Sequence, residues 1–213
     1  PRWFGPADTI YAAHHHAGIL DLKGGFGSTL ASFISISGGA SVGIYGPLVH
    51  FGATVSSFIR RQQFIPKIPH DIIIGSGVAA AISAGFGAPL AGIIFAHETV
   101  LRHFSMKAVA ALAISSMAAN FSATEIGIVS PPLLLTAIPF DMGDILISLG
   151  IIGPLAAVVA ILFMKLVLFT GTIPTKINIK NWQAPIIAGF ACGICGLVFS
   201  EILGLGTDVL ISV

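Results

Sequence analysis

The stretch "GSGVAAAISAGFGAPLAGIIFAHE", residues 75–98, contains no Asp, Glu, Lys or Arg before its last residue. Near its middle, "GFGAP", residues 85–89, places two glycines and a proline where a regular helix would break. Neither half reaches the roughly 20 apolar residues that one helix needs to cross a bilayer. We therefore predict two short apolar helices, at about 71–84 and 87–99, that form a hairpin with "GFGAP" at its tip.

The whole chain shares this lack of charge. Charged residues make up 9% of the chain and hydrophobic residues 55%, whereas a soluble domain has about 25% charged residues. Charge-free runs of membrane-spanning length occupy residues 24–59, 72–96, 108–124, 145–164 and 183–200. These runs predict an all-α polytopic transmembrane protein with broken and half-spanning helices, surrounded by the lipid bilayer. The net charge of +1, without a basic stripe, argues against nucleic acid as a partner.

The other apolar segments and the charged loops predict a topology. Further helices are expected at about 6–17, 26–37, 47–62, 105–121, 141–171 and 182–203. Basic residues cluster in three loops: Arg60, Arg61 and Lys67; Arg102 and Lys107; Lys176 and Lys180. Residues 122–144 contain acidic residues and no Lys or Arg. The positive-inside tendency places the three basic loops in the cytoplasm and 122–144 outside.

A second broken segment, "SVGIYGPLVH", residues 41–50, has the pattern of a helix start inside apolar surroundings. Proline is favoured in the first helical turn, and glycine lets the backbone approach a ligand closely. The first N–H groups of a helix have no partner within the helix and carry the positive end of its dipole. At membrane depth such an end can hold an anion that has lost its water. A packing kink between two helices explains the same residues equally well.

Two longer segments together resemble a known family. "GGASVGIYGPLVHFGA", residues 38–53, and the hairpin segment 75–98 are similar to the CLC chloride channels and transporters. Gly43, Gly46 and Pro47 match the family's GREGP motif. The hairpin residues that fall on or close to the family's second motif are Gly77, Ala80, Ala81, Gly85, Phe86, Ala88, Pro89, Ala91, Gly92, Phe95 and Glu98.

The resemblance implies a voltage-gated chloride channel or transporter that works as a homodimer, with an anion path in each subunit and helix N-termini that hold chloride or another small anion. It implies neither a cofactor nor a metal. The pore residues carried over are Gly43, Ile44, Tyr45, Gly46 and Pro47. The family's first anion motif, GSGIP, falls on Phe4, Gly5 and Pro6, with Phe4 in place of the motif's serine.

The likeness also implies how the chain is organised. We expect one transmembrane domain over residues 1–213, about the middle half of a CLC protomer. Residues 1–121 would end a first repeat, 122–144 would form an external linker, and 145–213 would begin a second repeat. The first residue is not Met and "DVLISV" stops within a pattern, so we expect part of a longer protein, without a visible signal peptide. The expected location is a bacterial-type plasma membrane.

Two departures from the family bear on mechanism. Tyr45 stands where the exchangers have their gating glutamate, and Ile44 replaces the arginine before it. Thr99 occupies the place of the exchangers' inner proton-route carboxylate, directly after the matching Glu98. A phenol keeps its proton at physiological pH and is a poor proton carrier, so we predict passive or weakly coupled anion transport. A proton-coupled antiporter, a non-conducting structural subunit and a degenerate fragment remain alternatives.

Other polar residues suggest sites of less specific kinds. His14, His15 and His16 are adjacent, so their side chains point in different directions on a helix, and a polar helix end is expected rather than a zinc site. His50 follows Tyr45 by about one turn and either tunes the local potential or packs. His97 is expected to pack beside Glu98, which serves in structure or in proton transfer. Cys192 and Cys195 are expected to be packing residues rather than a redox pair or metal ligands.

Two serine motifs raise the possibility of an enzyme. Ser41 lies in a G-x-S-x-G pattern at 39–43, but that hydrolase motif needs a preceding strand and a soluble α/β sheet. The G-x-S-G pattern of an intramembrane protease fails at Ser76, because Ile74 stands where the first glycine belongs. We therefore expect a protein that is not an enzyme.

Overall fold

The computed structural model describes residues 5–15, 20–62, 68–128, 142–176, 180 and 182–204. The helices in these ranges are α1 Pro6–His14, α2 Leu22–Ser37, α3 Tyr45–Arg61, α4 His70–Phe86, α5 Pro89–Phe95, α6 Met106–Glu125, α7 Met142–Lys176 and α8 Gln183–Val198. A π-helical turn, Ala96–Leu101, continues α5, and a 3-10 turn, Ser200–Ile202, follows α8. No strand occurs within these ranges, so the predicted all-α class is confirmed.

The chain divides into two compact units. One comprises residues 1–132 with 201–213 and contains α1 to α6, and the other comprises 133–200 and contains α7 and α8. In the described ranges, two helices are long and apolar enough to cross a membrane, Met106–Glu125 and Leu149–Ile173. None of the residues of the second span is buried, so apolar side chains face outward on all sides of it, as lipid contact requires.

Several helix boundaries differ from those predicted. Helix α2 starts at Leu22, because the Asp21 side chain accepts a hydrogen bond from Lys23 N–H (3.2 Å) and Gly25 serves packing rather than a turn. A Cβ at Gly25 would lie 2.7 Å from Thr54 Cγ2 of α3. Helix α3 starts two residues before Pro47, which is allowed because the N–H that proline lacks has no helical partner in the first turn.

Helix α4 is the centre of the first unit. Most of its residues are buried, because α3, α5, α6 and the π-helical turn all pack against it. Ile74 and Val78 on α4 are 1% and 0% exposed, and Leu101 and Leu112 pack in the same core at 0%. A helix that is apolar on all sides is either buried by protein or surrounded by lipid. In α4 the charge-free residues after Asp71 are covered by protein.

The crossing of α3 and α4 depends on two glycines. A Cβ added at Gly52 would overlap the carbonyl oxygen of Gly77, and a Cβ at Gly77 would overlap that of Gly52. The two backbones therefore touch with no side chain between them. Small residues at a helix crossing allow this approach, which is a common way to pack helices that lack a hydrophobic driving force in lipid.

The hairpin predicted at "GFGAP" is present. Helix α4 ends at Gly87, whose φ of 63° and ψ of 25° are left-handed and favour glycine. Helix α5 then returns antiparallel to α4, so that a Cβ at Gly92 would lie 2.6 Å from Ala79 O. Two serine hydroxyls fix the hairpin to α6: Ser83 Oγ donates to Ser116 O and Ser116 Oγ donates to Pro89 O, both at 2.7 Å.

Replacing Gly52 or Gly77 with alanine is expected to lower the free energy of unfolding by about 1–3 kcal/mol, the usual cost of overpacking. Gly27→Ala is the matched control, because nothing lies within 4 Å of the Cβ position of Gly27 on α2. Thermal unfolding of the variants in detergent measures the difference. Equal unfolding temperatures for Gly77→Ala and Gly27→Ala would contradict the close crossing.

Candidate functional site

The start of α3 is open to a ligand. Tyr45 and Gly46 form its first two positions, after exposed Gly43 and half-buried Ile44. Ile44 is the N-cap residue of α3, and its apolar side chain makes no capping hydrogen bond. The first turn of α3 contains no acidic residue. Pro47 brings no N–H of its own. The amides of the "GIYGP" segment are therefore placed to interact with an anion at the positive end of the helix dipole.

Helix α1 begins beside α3 and runs in the same direction. Gly5 precedes its first residue, Pro6. Pro6 Cγ lies 3.5 Å from the Cβ position of Gly46 in the first turn of α3. One turn later, Thr9 Oγ1 and His50 Nδ1 are 2.9 Å apart. The structure thus brings together two segments that the sequence predicts as anion motifs, although Phe4 lies outside the described residues.

The two helix starts differ in charge. On α1, Asp8 Oδ2 accepts a hydrogen bond from Gly5 N–H at 3.3 Å, so a carboxylate already satisfies part of this helix end. The first turn of α3 has no such group. An incoming anion would be repelled by Asp8 and attracted by the amides of α3, so the start of α3 is the stronger site of the two.

Tyr45, the predicted gate position, contacts the tip of the α4–α5 hairpin. Its ring stacks on Phe86 with a centroid separation of 3.8 Å and an interplanar angle of 15°. The adjacent Gly85 lies against the ring and against Leu48, because a Cβ there would be 3.4 Å from Tyr45 Cε1 and only 2.8 Å from Leu48 Cδ2. The sequence pattern matched Phe86 to the family without revealing this contact. A stack between two distant segments has no signature in residue spacing.

Glu98 and Thr99 lie elsewhere. Both belong to the π-helical turn, which returns along α4 toward its N-terminal end, whereas Tyr45 lies at the C-terminal end of α4. Glu98 is exposed and Thr99 is half-buried. π-helical turns are rare and frequent at functional sites. The structure therefore places the predicted gate position and the predicted inner proton-route position at opposite ends of α4.

His14, His15 and His97 contact other parts of the first unit or their own helix. His97 is 8% exposed, stacks on Phe104 at 5.0 Å and has Nδ1 3.1 Å from Ile93 O, which agrees with the prediction that it packs. His14 Nε2 lies 2.9 Å from Val100 O, and His15 is 4.6 Å from the ring of Tyr11. His16 falls outside the described residues.

Metal ligands do not cluster in the described ranges. No group of three or more His, Cys, Asp or Glu side chains that could hold a metal ion occurs there. Cys192 and Cys195 lie on α8 as free thiols, half-buried and exposed respectively.

Comparison with known proteins identifies the family. The family model for the voltage gated chloride channel matches residues 4–213. The chain belongs to the CLC family. Membership confirms the predicted class of polytopic transmembrane protein and the resemblance seen in the two motifs. No solved structure matches the chain.

Curated CLC proteins from plants and bacteria are similar over most of the chain. Chloride channel protein CLC-e of Arabidopsis thaliana is 27% identical over 85% of this chain and 27% of its own length. The H(+)/Cl(-) exchange transporter ClcA of Klebsiella pneumoniae is 31% identical over 77% of this chain and 36% of its own. The voltage-gated ClC-type chloride channel ClcB of Citrobacter koseri is 25% identical over 90% and 46%. The chain therefore spans less than half the length of these relatives.

Asp8→Asn is expected to raise chloride affinity about two- to fivefold, the effect of one charge at a helix end. The amide oxygen of asparagine can still accept from Gly5 N–H, so the cap is kept while the repulsive charge is lost. Asp21→Asn, at the start of α2, is the matched control. Chloride-dependent unfolding temperature of the full-length protein measures the affinity. A lower affinity in Asp8→Asn would contradict the assigned electrostatics.

Proposed function

We propose that this chain forms part of the anion path of a CLC-type chloride transporter, with the ion held by the amides of Gly43, Ile44, Tyr45 and Gly46. The observation that carries the proposal is the parallel arrangement of α1 and α3, whose starts lie together at Pro6 and Gly46. The start of α3, which has no acidic residue in its first turn, attracts an anion without a fixed cation, and the start of α1 lies beside it. Partial charges of this kind also let the ion leave, which conduction requires.

The transport we propose is passive or weakly coupled to protons. Tyr45 places a phenol, which is a poor exchangeable proton carrier, where the exchangers of the family have a glutamate. Thr99 has no titratable group, and neighbouring Glu98 lies in the π-helical turn at the other end of α4 from Tyr45. The relatives' names include both exchangers and channels. In this proposal, the choice between channel and exchanger therefore depends on Tyr45 and Thr99.

Tyr45 is, in this proposal, a gate that acts by its shape. Its ring stacks on Phe86, and offset aromatic pairs contribute about 0.5–1.5 kcal/mol beyond the burial of their surface. The phenol occupies the mouth of the helix start while the stack holds, and an anion passes when the ring swings away. The hydroxyl can then donate a hydrogen bond to the passing ion.

The wider arrangement follows from the same proposal. The full protein would act as a homodimer in a bacterial-type plasma membrane, with the basic loops in the cytoplasm. Residues 1–121 would complete a first repeat, 122–144 an external linker and 145–213 the beginning of a second. The two charge-poor spans in α6 and α7 are consistent with this division.

Flux through the full-length protein in liposomes tests the proposal. Wild type is expected to carry chloride down its gradient and to show no uphill chloride movement under an imposed pH gradient. Tyr45→Glu is expected to confer proton dependence, because it restores a titratable group at the gate. Chloride driven uphill by protons through wild type would establish the antiporter instead. Absence of any anion flux would establish the non-conducting alternative.

Phe86→Leu is expected to raise chloride flux about two- to tenfold, since it removes the ring that holds Tyr45 and keeps apolar bulk. Phe121→Leu, an exposed position on α6, is the matched control. Single-channel recording or stopped-flow flux measures the change. An unaltered rate in Phe86→Leu would show that the stack does not restrict the path.

A further inference from the structure

A buried polar pair joins α1 to α3 next to the proposed anion site. Thr9 and His50 are both 0% exposed, and Thr9 Oγ1 lies 2.9 Å from His50 Nδ1. The two residues are 41 positions apart in the sequence. His50 therefore joins α1 through the Thr9 hydroxyl, although it belongs to α3.

The position of the pair determines what it can control. Pro6 and Gly46 are in contact at the first turn of each helix, and Thr9 and His50 meet one turn further on. Two contacts at successive turns fix both the separation of the helix axes and their sliding along each other. The Thr9–His50 pair therefore helps to set the relative position of the first turns of α1 and α3.

The energetics favour this geometry over a shifted one. A buried hydroxyl or imidazole nitrogen that loses its hydrogen-bond partner destabilises the protein, because water cannot replace that partner in the interior. On the α3 side, Thr54 Oγ1 donates to His50 O at 2.7 Å, and Gly25 of α2 packs against Thr54. The backbone of α3 at His50 is thus fixed by its own helix and by the packing of α2. A displacement of α1 would break the Thr9–His50 bond.

We propose that Thr9 and His50 are positioning residues that set the distance between the start of α1, with its Asp8 carboxylate, and the anion-attracting start of α3, and through it the affinity for chloride and the preference over larger anions. This inference rests on the proposed function and deepens it. The field of a helix end falls off within its first turn, so a small change in separation changes the stabilisation of a small halide more than that of a larger anion.

Paired substitutions in the full-length protein test the inference. Thr9→Val and His50→Leu remove the hydrogen bond with little change in volume. Thr9→Ser keeps the hydroxyl, and His50→Asn keeps a polar atom near the place of Nδ1. The measurements are chloride-dependent unfolding temperature, which gives chloride affinity independently of transport, and the chloride-to-nitrate ratio of liposome flux.

Thr9→Val and His50→Leu are each expected to weaken chloride binding about fivefold, as loss of one hydrogen bond of about 1 kcal/mol would, and to lower the chloride-to-nitrate ratio. The double variant should be no worse than either single one, because both remove the same interaction. Thr9→Ser and His50→Asn should stay within about twofold of wild type.

Three results would overturn or separate the claims. Additive losses of stability in the double variant would show that no bond joins the two residues. Coupled losses of stability with unchanged chloride affinity and selectivity would show a purely structural pair. If the variants change chloride affinity as expected while the wild type carries no chloride flux, the positioning role would be supported and conduction would be refuted.

Discussion

The contact between Gly52 and Gly77 is the constraint on which the first unit depends. Because neither residue has a side chain, the backbones of α3 and α4 meet directly. The helices run antiparallel from this point, which brings Tyr45 at the start of α3 to Gly85 and Phe86 at the end of α4. The crossing lies about two turns from these residues, or roughly 10 Å. A larger side chain at the crossing would tilt the helices and move the proposed gate away from its partner.

The same packing explains how a nearly uncharged interior can attract an ion. Helices α1 and α3 begin side by side, and the amides at the start of α3 provide partial positive charge. Asp8 offsets such charge at α1, whereas α3 has no acidic residue in its first turn. In the proposed function, this attraction replaces some hydration of the ion and still lets the ion leave. The ring of Tyr45 then acts as a barrier at the position where the family's exchangers have a carboxylate.

Much of this fold could be predicted from the sequence. The charge-free runs gave the helices, and "GFGAP" gave the hairpin, because lack of charge and helix-breaking residues act locally. The start of α2 was predicted too late, since Gly24 and Gly25 suggest a turn until Thr54 of α3 is known to pack against Gly25. Periodicity shows which face of a helix is apolar but not which residue it meets.

The candidate site shows the same limit more clearly. The segment from Gly43 to Pro47 and the residues Gly5 and Pro6 were identified from motifs, and the structure brings them together. The stack of Tyr45 on Phe86 joins two residues that are 41 positions apart in the sequence, and so does the hydrogen bond between Thr9 and His50. Contacts of this kind come from the helix crossing, which no local pattern specifies.

The most direct test is to locate the ion in crystals of the full-length protein grown with bromide, whose anomalous scattering marks halide positions. The account predicts a bromide peak in contact with the backbone amides at the start of α3, near Tyr45 and Gly46. A peak found only beside lysine or arginine side chains, with none at this helix start, would contradict it.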